Sequence, residues 1–179
     1  MLITILISLF AFYNQSIDFT LHKYRSLLES LLQQGYQFLT FEQYLQAKND
    51  LPAEGDLQAK RSSNEVIFKQ SDLPTKYILL RHDVDLKAAN SLATAQIEHE
   101  LGISASYYFR VVPQSNQPDI IRAIADLGHE IGYHYEDMAI MQGNTDKAYV
   151  HFQQQLTYFR QFYPVRTICM HGAPTSQWD

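Results

Sequence analysis

From Tyr77 onward the sequence alternates short extended-type runs with stretches of helical spacing, and this rhythm limits the fold more than any other feature. YILLRHDV (77–84) is rich in aromatic and aliphatic residues and predicts a strand. Residues 87–101 place Ala89, Leu92, Ala93, Ile97 and Leu101 on one helical face, closed by Gly102. SASYYFRVV (104–112) predicts a second strand. Pro118 then opens a helix carrying Ile120, Ile121, Ile124 and Leu127, closed by Gly128. HEIGYH (129–134) predicts a third strand. Asn144 or Thr145 caps a helix to about Tyr163 with Phe152, Leu156 and Phe159 inward, and VRTICMH (165–171) predicts a fourth strand. Alternating strands and helices imply parallel strands joined by right-handed crossovers, so the expected class is α/β. An open doubly wound sheet and a closed β/α barrel share this rhythm, and both place ligands at the carboxyl ends of the strands.

Residues 1–76 read as a distinct N-terminal region, and 77–179 as the β/α unit. FTLHKYRSLLESLLQQ (19–34) has helical spacing and Gly35 as its stop. TFEQ (40–43) is a capping box for a short helix to about Lys48. Residues 49–75 carry Pro52, Gly55 and Pro74 and predict a long connection, with a short strand at EVIF (65–68). The opening run MLITILISLFAFY is shorter than the roughly 20 residues a membrane-spanning helix needs, so no stable span is expected. It has no Lys or Arg before Lys23, and a buried strand or core helix, a signal or anchor, and an added extension remain its alternatives.

A net charge of −5 offers no electrostatic case for nucleic acid. The single cysteine, Cys169, excludes an internal disulfide framework and a cysteine-rich zinc site, and it fits a reducing, cytoplasmic setting. Cys169 and Met170 read as core. The first strand-to-helix turn, HDVDLK, has no glycine and two carboxylates, the reverse of a phosphate-cradling turn. Acidic groups there suit a cation.

Asp83 and Asp85 are two apart at a strand end, so both face the same side. Two close carboxylates resist joint ionisation unless a cation neutralises them, although Asp85 before a helix also suits an ordinary N-cap. In HEIGYH the same parity puts Glu130, Gly132 and His134 on one face and His129, Ile131 and Tyr133 on the other. His134, at the strand end, is the better ligand candidate, and His129 reads as structural. His171 closes the last strand as a ligand or general acid. Arg110 closes YYFR and either binds a substrate anion, orients Asp83 or forms a surface salt bridge. Glu136 reads as an exposed loop carboxylate, with a ligand role as the alternative. His22, His99 and His151 fall on helices and read as structural.

LLRHDVD, LGISASYYFRV and GHEIGYHYE together resemble the polysaccharide deacetylase family, carbohydrate esterase family four, and HDVD with HGAPTSQWD is similar to a divergent branch of it. The resemblance covers residues 77–178, more than half of the chain. It implies a parallel β/α barrel of the deacetylase type, a divalent metal, often zinc, and hydrolysis of an N-acetyl or O-acetyl group on a carbohydrate substrate. Position by position, Asp83 matches the family's general base and His134 its first metal histidine. Val84 stands where the family has its metal-binding Asp, a role that parity moves to Asp85. Met138 stands where the second histidine belongs. His171 or Glu136 replaces that ligand, or the metal is held more weakly or not at all. In the implied mechanism Asp83 is the base, His171 the acid, Asp85 and His134 hold metal, and Arg110 contacts substrate. The run ends after the fourth strand of the rhythm, whereas a full barrel takes about 250 residues, so the expectation is an incomplete barrel. A non-catalytic carbohydrate-binding module and a hydrolase of another non-peptide C–N bond are the competing readings.

Overall fold

The computed structural model describes residues 3–7, 20–48, 73–172 and 176–178. The strand expected at EVIF lies outside them. The opening run contributes a strand, β1 (Ile3–Ile7). Helix α1 (Leu21–Gln33) is capped by the Thr20 hydroxyl, which accepts from the Lys23 amide at 3.2 Å. Gly35 at φ +80° takes the chain out of it through the left-handed region that glycine adopts freely. β2 (Gln37–Leu39) follows, and the expected capping box opens α2 (Phe41–Ala47). There the Thr40 amide donates to Gln43 Oε1 at 2.9 Å and the Gln43 amide to Thr40 Oγ1 at 3.1 Å.

The rhythm after residue 76 folds as β3 (Tyr77–Val84), α3 (Ala88–Glu100), β4 (Ser106–Phe109), α4 (Pro118–Asp126), β5 (Glu130–Tyr135), α5 (Asp137–Ile140), α6 (Thr145–Phe159) and β6 (Ile168–Met170). Every strand pairing is parallel, in the order β1-β3-β4-β5-β6. β2 also pairs with β3, over Tyr77–Leu79, while β4 pairs over Arg81–Val84 and β1 over Ile78–His82. A strand has two edges, and β1 overlaps both spans. β2 and β4 therefore follow one another along the opposite edge. The sheet curls into a half-barrel flanked by helices, which establishes the α/β class. Among the described residues no helix is long and apolar enough to cross a membrane.

The core lies on the helix-covered face of the sheet and contains Leu80, Val84, Tyr107, Phe109, Ile131 and Tyr133, with Ile121, Ile124 and Phe159 from α4 and α6. Ala89, expected on the inward face, is exposed, while the expected Ile97 is buried and Leu92 and Leu101 pack against the core; α3 also buries Ala88, Ser91, Thr94, Ala95 and Glu98. The buried face of the helix is wider than its apolar stripe because it also docks a polar group, Glu98, on the sheet. Glu98 Oε1 meets His82 Nε2 at 2.7 Å, Oε2 accepts from the Tyr107 hydroxyl at 2.8 Å, and the Tyr24 hydroxyl donates to Oε1. Burial works to raise the Glu98 carboxyl, yet the imidazoles of His82 and His129 and the Tyr24 hydroxyl outweigh it and hold it below the usual carboxylate value. Met170, expected in the core, is 53% exposed, and its neighbour Ile168 is 46% exposed. Among the described residues β6 ends the strand order, with a neighbouring strand on one side only.

Candidate metal centre

Strand register sets the rows of the concave face. Arg81, Ser106 and Glu130 are partners across β3, β4 and β5, and Asp83, Tyr108 and Gly132 form the next row toward the carboxyl ends. One row further, His134 pairs with Cys169 of β6. Asp85 and Arg110 directly follow the strand residues of this face, two positions beyond Asp83 and Tyr108. The parity expected from sequence is what the register delivers.

Gly132 is the gap in this face. A Cβ there would overlap the edge of the Tyr108 ring and stand 3.0 Å from the Thr167 carbonyl. The ring crosses the space the glycine leaves and hydrogen-bonds through its hydroxyl to Thr167 Oγ1 at 2.9 Å. The Arg81 guanidinium lies 5.9 Å from the ring centroid. It grips Asp83 through both oxygens, Nε to Oδ1 at 2.8 Å and Nη2 to Oδ2 at 2.6 Å. Asp83 is thus oriented by Arg81, not by Arg110.

Above this row stand Asp85, His134 and His171. His171 Nδ1 lies 3.2 Å from His134 Nε2 and 3.3 Å from Asp85 Oδ1, and His134 Nε2 lies 3.7 Å from the same oxygen. The His134 side chain is only 3% exposed, and its Nδ1–H donates to the Cys169 carbonyl at 3.1 Å. That bond fixes the tautomer and leaves the Nε2 lone pair facing Asp85 and His171. Burial holds the His134 imidazole below its usual pKa, against the raising influence of Asp83, the Cys169 carbonyl and Asp85. It is therefore neutral, the form a metal needs. The N-cap alternative for Asp85 fails, because Lys87 occupies that position and no side chain caps α3.

Among the described residues, Asp85 Oδ1 is buried and makes no hydrogen bond. A buried oxygen left so costs about 1–3 kcal/mol. A proton shared between the two imidazoles would satisfy them and still leave Oδ1 without a donor. A cation satisfies all three atoms together. With bonds of about 2.0–2.1 Å in a tetrahedron, neighbouring ligand atoms stand about 3.3 Å apart. The separations of 3.2, 3.3 and 3.7 Å match that spacing. Asp85, His134 and His171 thus form a group able to hold a metal ion. A second group, Asp83, His134 and Cys169, shares the same imidazole.

The remaining expected residues fall around this centre. Arg110 is bound bidentately to Glu136, Nε to Oε1 at 2.9 Å and Nη2 to Oε2 at 2.8 Å. Glu136 is consequently not an exposed loop carboxylate. Its side chain is 9% exposed, at the N-terminus of α5, and Oε2 lies 4.0 Å from His171 Nε2. His129 is structural as expected, with Nδ1 accepting from the Ala105 amide at 3.2 Å and Nε2–H donating to the Ala95 carbonyl at 3.0 Å. His22 is exposed, His99 bonds the Leu127 carbonyl, and His151 bonds Asp137 beside the Tyr133 hydroxyl. Sequence reasoning missed two residues of the centre, Arg81 and Cys169. Both sit two positions before an assigned residue, Asp83 and His171, so the same parity could have found them. Compared with known proteins, the chain matches no family model, no curated protein and no solved structure.

Proposed function

We propose that the chain is a metal-dependent hydrolase that removes an acetyl group from an N-acetylated or O-acetylated sugar, with Asp85, His134 and His171 holding a divalent cation such as zinc. The observation that carries the metal is the buried Asp85 Oδ1, which has no hydrogen bond among the described residues and stands at ligand spacing from two imidazole nitrogens. The support for the acetyl-sugar substrate is the likeness of LLRHDVD and GHEIGYHYE to the deacetylase pattern. When bound, such a cation polarises a carbonyl oxygen and lowers the pKa of a bound water.

Asp83 is the group suited to moving the proton. Oδ2 lies 3.9 Å from His134 Nε2, and the Arg81 fork holds the carboxylate in one orientation beside the ligand set. It accepts the proton of the attacking water and returns it to the departing amine or alkoxide. His171, expected as the acid, is placed among the ligands in this scheme. Arg110, held by Glu136 at the rim, remains the candidate contact for substrate oxygens.

The test combines metal titration with acetate release from a panel of N-acetylated and O-acetylated sugars. One zinc or cobalt per chain is expected, lost in Asp85→Asn and His171→Ala. Asp83→Asn should keep the metal and lose turnover. Absence of stoichiometric metal would favour the non-catalytic carbohydrate-binding reading. Full turnover by Asp83→Asn would refute its role as base.

A further inference from the structure

We propose that Asp83, His134 and Cys169 form a second, alternative cation position selective for thiophilic ions such as cadmium, and that its occupation switches off the hydrolysis proposed above, on which this last consequence rests. The three residues come from β3, β5 and β6, and their ligand atoms lie within 4.8 Å of one another. Register makes Cys169 the direct neighbour of His134, and the Cys169 carbonyl holds the imidazole so that Nε2 remains the ligand atom. The thiol donates a weak hydrogen bond to the Met170 carbonyl at 3.5 Å.

Both positions require His134 Nε2, which has one lone pair. An ion in one position therefore excludes an ion in the other. The donor sets differ in softness. Asp85, His134 and His171 offer one oxygen and two nitrogens, which suits zinc, cobalt and iron. Asp83, His134 and Cys169 offer oxygen, nitrogen and sulfur, and the thiolate favours softer ions. Binding forms a metal–sulfur bond and releases the thiol proton to solvent. It also recruits Asp83, so the carboxylate needed as a base becomes a ligand. The ion moves by one row of the sheet, and hydrolysis stops without loss of metal.

The full chain, stripped of metal with a chelator, should bind one cadmium ion with a thiolate-to-cadmium charge-transfer absorption. The assignment is unambiguous because Cys169 is the single cysteine. Cys169→Ser should abolish the band, weaken cadmium by at least about tenfold, and leave cobalt binding unchanged. His171→Ala should weaken cobalt and leave the cadmium band. Cadmium should displace cobalt one for one. Cadmium bound without a thiolate band, indifference to Cys169→Ser, or simultaneous binding of both ions would overturn the proposal. Failure of the cobalt arm alone would instead count against the hydrolase centre.

Discussion

Gly132→Ala is the sharpest test of how the sheet supports the site. The added methyl would overlap the Tyr108 ring and press on the Thr167 carbonyl at 3.0 Å. The ring cannot move aside freely, because it is buried and its hydroxyl is bonded to Thr167 at 2.9 Å. Overpacking of this kind costs about 1–3 kcal/mol, and losing a buried hydrogen bond adds about 1 kcal/mol or more. The expected cost is about 3 kcal/mol, a large part of the roughly 5–15 kcal/mol a domain has. Urea unfolding followed by circular dichroism should show a lower midpoint with an unchanged slope. In a Tyr108→Ala background the ring is gone and only the Thr167 carbonyl remains close, so the same substitution should cost at most about 1 kcal/mol, a coupling of about 2 kcal/mol. A cost below about 0.5 kcal/mol, or an equal cost in both backgrounds, would refute the reasoning. The perturbation also reaches the chemistry, since Tyr108 underlies Arg81 and Arg81 orients Asp83.

Two further predictions concern charge. Burial lowers the pKa of both His129 and His134, so the unfolded chain binds protons near pH 6.5 that the folded chain refuses. Their contribution is present above that value and lost as pH falls below it, at up to about 1.4 kcal/mol per pH unit for each group. Denaturation of the metal-free protein from about pH 7 to about pH 5.5 should show this decline, shallower in His129→Gln, and stability that rose on acidification would contradict it. Arg81→Met removes both bonds to Asp83 but touches none of Asp85, His134 and His171. It should lower kcat on the order of 10–100-fold while leaving cobalt affinity within a few-fold, and an unchanged kcat would refute the orienting role.

Period-two alternation alone placed Asp83, Asp85 and His134 on one face, and local signals placed the Thr40 capping box and the ends of α1, α3 and α4. These features depend on a few neighbouring residues. The polar part of the buried α3 face does not, since Glu98 is held by partners on β3, β4 and α1. Glu136 was misread for a similar reason. Its partner Arg110 is 26 residues away, and the short α5 that follows it has no strong periodic signal. Met170 departs from the core reading because β6 ends the strand order among the described residues, where apolar side chains need not be buried.

The close fit of Tyr108 over Gly132 also protects the register of β5. A parallel strand shifted by one residue turns every side chain to the opposite face. Such a shift would replace Glu130, Gly132 and His134 by His129, Ile131 and Tyr133 on the concave side. Ile131 or Tyr133 would then face the Tyr108 ring where even a methyl group has no room. The wrong pairing thus excludes itself sterically, and a β5 that pairs with β4 at all presents His134 rather than its neighbours to the site. The smallest residue in GHEIGYH acts as a proofreading device for the position of its most important one.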